Sequence, residues 1–188
     1  MRWLTLYARS RQVPASLAAV VIVTALGWAF AREGSDNLRL PLLIVGAGVM
    51  AASTGLSGQD FALDRTAAIR WLPRRAAHVL LAGVMVGTVL MTAQAISAQM
   101  VPVELVVRNC AGLMGLAALG AVVLGGPYAW SLPFAWLAFA LFTPPATSVS
   151  MEVATWMLLP PDTAAGTWTA LVLSVLGTTA YAVAGPKR

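Results

Sequence analysis

The chain has 188 residues, 59 % of them hydrophobic and only 10 % charged, with a mean hydropathy of +0.79. A water-soluble domain carries about 25 % charged residues, so too few polar side chains are present to solvate a globule, and most of the surface must face lipid. The net charge of +5 is spread among the flanks of apolar runs, which argues against a nucleic-acid partner, and the lone Cys110 excludes both an intrachain disulfide framework and a cysteine metal cage.

The expected class is all-α, a compact polytopic membrane domain with six transmembrane helices. Residues 1–13, MRWLTLYARSRQV, place Trp3, Leu4 and Tyr7 on one side of a helix and Arg2 and Arg9 roughly opposite. That pattern predicts an interfacial helix, with Trp3 and Tyr7 anchoring it at headgroup level. Pro14–Ala31 is uncharged and long enough to cross a hydrocarbon core of about 30 Å. Its Ala29-Phe30-Ala31 resembles a signal cleavage site, but the apolar run exceeds the length of a signal core and is read as a retained first span.

A short polar loop, Arg32–Arg39, leads to a second span over Leu40–Leu56, whose Gly46, Gly48 and Gly55 allow close backbone approach. Residues 58–75 are a charged island containing Asp60, Asp64, Arg65, Arg70, Arg74 and Arg75. Asp60 to Leu72 reads as a short amphipathic helix that Pro73 stops, after which Arg74 and Arg75 sit at the phosphate layer as interface anchors. A third span follows over roughly Ala76–Ser97, then an exit segment before Glu104 and Arg108.

No formal charge occurs from Asn109 to Met151, about twice the length one span needs. Gly125-Gly126-Pro127-Tyr128 breaks that run, giving a fourth span over Asn109–Leu124 and a fifth over roughly Tyr128–Pro144. Residues 143–162 hold four prolines around an apolar stretch with Trp156, which predicts an outer re-entrant or interfacial segment. Thr163–Gly185 is the sixth span. With six spans, nine of the twelve basic residues fall on the side of the two termini and three (Arg32, Arg39, Arg108) on the other. The positive-inside bias then puts both termini and the charged island in the cytoplasm, and the protein in a plasma or inner membrane.

Chemistry is sparse. Gly55-Leu56-Ser57-Gly58 matches the G-x-S-G of rhomboid-type intramembrane proteases, and His78 is the only histidine. The two lie at facing ends of consecutive spans, and small-residue packing accounts for the match without catalysis. No carboxylate pair lies within a span to couple an ion, no G-x-x-x-x-G-K-[ST] loop is present to bind ATP, and no metal site is readable. The chain is therefore expected not to be an enzyme and to bind no cofactor itself.

An amphipathic start (Arg2–Arg11), the Asp60–Leu72 segment between spans two and three, Asp64-Arg65 with Pro73-Arg74-Arg75, and the partly buried segment between spans five and six together resemble the permease subunit of a six-span ABC-type exporter. The likeness extends to small actinobacterial membrane proteins of this kind through Arg108-Asn109 and the Gly185-Pro186 ending. It covers the whole length as topology, although the chain is shorter than usual for the family. It implies a second permease chain and an ABC ATPase subunit carrying ATP and Mg. Asp60, Asp64, Arg65 and Arg70 would contact that ATPase. Ser53, Thr54 and Trp136 would line the path of an apolar or amphipathic cargo. The alternative is a non-transporting scaffold or immunity protein that binds a partner through Gly/Ala-rich helix faces.

Overall fold

A computed structural model describes residues 13–30, 39–57, 71–97 and 101–187. The expectations for Trp3, Tyr7, Asp60, Asp64, Arg65 and Arg70 fall outside these residues. Seven α-helices are described: α1 (Val13–Phe30), α2 (Arg39–Ser53), α3 (Trp71–Ser97), α4 (Val103–Val123), α5 (Ser131–Phe142), α6 (Val149–Ala154) and α7 (Ala164–Ala184). Single 3-10 turns follow α2 (Thr54–Leu56), precede α5 (Gly126–Tyr128) and follow α6 (Trp156–Leu158).

Local sequence explains where the helices start. Pro41, Pro73 and Pro133 each occupy the third position of α2, α3 and α5. In a first turn the missing N–H has no intrahelical partner to lose, so proline is tolerated there. This corrects the reading of Pro73 as a stop signal: Trp71 and Leu72 belong to the first turn of α3. Pro102 caps α4, its carbonyl accepting from Leu105 and Val106, and Glu104 sits in the first turn where the helix dipole favours negative charge. Helix α7 ends as expected at Gly185, whose φ of 70° suits a residue without a β-carbon.

Among the described residues, four stretches are long and apolar enough to cross a membrane: Arg39–Leu56, Trp71–Ile96, Val103–Val123 and Ala164–Ala184, with Pro14–Gly27 a shorter apolar stretch. Helix α5, at 12 residues, extends only about 18 Å at 1.5 Å per residue. The residues before it form the 3-10 turn, and Thr143, in extended backbone ahead of Pro144, ends it.

Helix α4 is the hub. In its most apolar stretch 72 % of residues are buried, against 17 % for α3. It packs on α7, α3, α2 and α5, while α1 lies against α2 and α3. The α4–α7 contact is made at backbone range: Gly177 meets the backbone of Gly115, and Gly115 meets that of Leu173 and Ser174. Either glycine replaced by a larger residue would drive a β-carbon into the facing main chain. The core around this seam includes Leu113, Ala117, Ala121, Trp156 and Tyr181.

Candidate functional site

The polar side chains collect at the two ends of the bundle. At one end, the turn after α2 meets the start of α3, the corner between α4 and α5, and the end of α7. The Tyr181 hydroxyl, fully buried, donates to Leu56 O at 2.8 Å. His78 Nε2 lies 3.0 Å from Gly55 O and acts as the donor to that carbonyl. Gly126 packs so tightly on Ser57 that a β-carbon there would come within 2.8 Å of its Cα. Lys187 N donates to Ala121 O at 2.9 Å and Gly126 N to Lys187 O at 3.3 Å, stitching the chain after α7 onto the α4–α5 corner. The Arg75 guanidinium lies against Gly185, and Arg74 stands over the Trp71 ring at 6.0 Å. Arg74 and Arg75 thus flank one end of α3, where the sequence placed interface anchors.

Ser57 and His78 are engaged with the same turn. The Ser57 hydroxyl donates to Thr54 O at 2.6 Å, a local turn bond, while His78 reaches Gly55. Ser53 is buried with its hydroxyl on Met50 O, and exposed Thr54 bonds to Ala51 O. Both therefore satisfy the unpaired carbonyls of a helix end.

At the other end, Arg108 and Asn109 form a clamp that the sequence did not assign. Arg108 stands by sequence just before the fourth span, expected to begin at Asn109. It lies within α4, 7 % exposed, because α4 starts six residues before the expected boundary at Asn109. Its guanidinium donates to Leu159 O at 2.6 Å, to Pro160 O at 2.7 Å and to Asn109 Oδ1 at 3.4 Å. The Asn109 amide donates to Met157 O at 3.0 Å. One turn of α4 thus satisfies three carbonyls from a segment about fifty residues later, whose prolines at 160 and 161 cannot supply N–H groups. A planar guanidinium with several fixed donors suits this task.

The clamped segment is folded inward. Trp156, expected near the outer boundary, is fully buried, its ring pressed onto Gly112 of α4. Among the described residues its indole N–H and that of Trp71 find no hydrogen-bond partner. Gly166 of α7 packs against Arg108 and Trp156 O, so the clamp also fixes where α7 begins. On the other flank the Trp136 indole donates to Ala154 O at 2.8 Å, tying α5 to α6. Trp136, Phe139 and Ala154 border a shallow hollow of about 240 Å³. Trp136 is therefore at this hollow, whereas Ser53 and Thr54 sit near the opposite end of the bundle; Gly46, which packs on Leu137, is two helical turns from Ser53.

A second concavity lies between α3, α4 and α7, with a volume of about 450 Å³. Among the described residues no cluster of His, Cys, Asp or Glu has the arrangement to hold a metal ion. Comparison of the chain with protein-family models, curated proteins and solved structures gives no match.

Proposed function

We propose that the chain is the membrane-spanning permease subunit of an ABC-type exporter, moving an apolar or amphipathic cargo when a separate ATPase subunit docks on residues 58–75. The reading rests above all on the segment between α5 and α7. It folds as α6 and a 3-10 turn, buries Trp156 and Met157, and is locked to α4 by Arg108 and Asn109. That lock lies at the end of the bundle opposite Ser57, the last described residue before the charged run in the sequence. A rigid cap at one end and a charged handle at the other suit a bundle driven from outside itself. In this reading α1, α2, α3, α4, the run from Gly126 to Phe142 that contains α5, and α7 make six crossings, with both termini and residues 58–75 on the cytoplasmic side of the plasma membrane, as the positive charge favours. ATP and Mg belong to the partner, a second permease chain completes the assembly, and Asp60, Asp64, Arg65 and Arg70 form the grip.

Affinity purification of the tagged chain from its native membrane, with export measured for Asp60→Ala/Asp64→Ala, tests this. The expected result is an ATPase carrying Walker motifs in the eluate, and export reduced roughly tenfold, about 1.4 kcal/mol of lost coupling, at unchanged membrane levels of the variant. Recovery without any ATPase, together with undiminished export, refutes it.

A further inference from the structure

Three of the helices long enough to cross a membrane, α3, α4 and α7, line the 450 Å³ groove. It exists because the residues at its centre are small. Gly83 and Gly87 face it from α3, Gly115 from α4, and Ser174 and Thr178 from α7. A β-carbon at Gly87 would meet nothing within 4 Å.

Along α3 the groove runs from Val79 to Thr92, about 20 Å at 1.5 Å per residue. That exceeds one leaflet of a hydrocarbon core of roughly 30 Å. Its walls are chiefly apolar, with the hydroxyls of Thr88, Thr92, Ser174 and Thr178 among them. Those of Thr88 and Thr92 are turned back onto their own helix, held by Val84 O and Thr88 O, both at 2.8 Å. Where α3, α4 and α7 cross a bilayer, a groove of this length lies among acyl chains.

The two ends differ in charge. Arg74, Arg75 and His78 lie within about one turn of Val79, and Arg75 rests against Gly185, two turns beyond Thr178 on α7. Positive charge therefore sits at the α3–α7 seam just past the groove. At the far end, exposed Glu104 neighbours Val103, which lines the groove. An anionic amphiphile is oriented by this gradient, head toward the arginines.

We infer that the groove holds one acyl chain of an anionic membrane phospholipid, with its phosphate beside Arg74 and Arg75. The tail gains no hydrophobic energy, since the bilayer is already hydrocarbon, so retention comes from wall contacts along the chain and from the headgroup charge.

Native mass spectrometry of the delipidated protein, titrated with phosphatidylglycerol or phosphatidylcholine, tests the site without an ATPase and so stands apart from the permease reading. A 1:1 phosphatidylglycerol adduct is expected to outlast phosphatidylcholine, each arginine contributing roughly fivefold, so that Arg74→Gln removes one such factor and Arg74→Gln/Arg75→Gln both. Gly87→Leu, which fills the groove, is expected to cut retention of both lipids roughly tenfold. Thr88→Phe serves the same purpose should the first variant melt early. Equal retention of the two lipids by the unaltered protein overturns the inference. So does unchanged retention in a folded groove-filled variant, or a shift in oligomeric state in its place, which would make the groove a helix–helix interface.

Discussion

Asn109→Leu isolates the clamp with little change of volume. The substitution removes a buried hydrogen bond to Met157 O and leaves that carbonyl without its donor beneath α4. Stranding a buried acceptor costs about 1–3 kcal/mol, so a loss near 2 kcal/mol is expected for docking of the segment. Arg108→Lys keeps the charge but not the fork that reaches Leu159 O and Pro160 O together, and should cost about the same. Because both side chains hold one short stretch, Met157 to Pro160, and bond each other, the double variant should fall short of the sum by about 0.5–3 kcal/mol. A loss of 2 kcal/mol raises the undocked population roughly thirtyfold. Limited proteolysis in detergent, scored by mass spectrometry for cuts between residues 143 and 163, reads that population directly, alongside thermal unfolding of the bundle. Cleavage there should accelerate before the bundle melts. Protection equal to that of the unaltered protein in both single variants would show that Trp156 packing alone holds the segment, and the clamp would be redundant.

Other substitutions separate close packing from incidental small residues. Gly177→Ala pushes a methyl group into the backbone of Gly115 and should lower stability by about 1–3 kcal/mol in micelle unfolding, whereas Gly87→Ala, with open space around it, should lose nothing. Tyr181→Phe deletes the donor to Leu56 O and should lower the midpoint by the equivalent of about 1 kcal/mol, with helix content by circular dichroism unchanged. Ser57→Ala removes only a local turn bond to Thr54 O, and its unfolding should stay within about 0.5 kcal/mol of the parent.

The sequence made some of this legible and hid the rest for physical reasons. The bounds of α7 were readable because Gly185 and Pro186 punctuate its end and prolines precede its start. Helix α2 was readable from its uncharged run. Helix α4 was misjudged at its beginning because Glu104 and Arg108 look like solvent-facing loop residues. Glu104 is exposed on the first turn, and the burial of Arg108 depends on carbonyls about fifty positions away, which no local pattern reveals. One signal was available: an arginine and an asparagine side by side at the edge of a long uncharged stretch imply polar partners buried nearby. Pro73 was likewise ambiguous, since the same residue ends one helix or opens the next, and only the course of Trp71 and Leu72 decides. The short extent of α5 was concealed because hydropathy measures lipid compatibility and says nothing of where Thr143 and Pro144 turn the chain.

The glycine-to-glycine seam between α4 and α7 also limits how the bundle can rearrange. Two main chains in direct contact have no side-chain layer to slide or rotate through, so these helices travel as one beam. Spin labels at Val107 and Val172, both surface-exposed on the two partners, should keep a constant separation under any condition that reshapes the protein, leaving the hinge to be sought among the other helices.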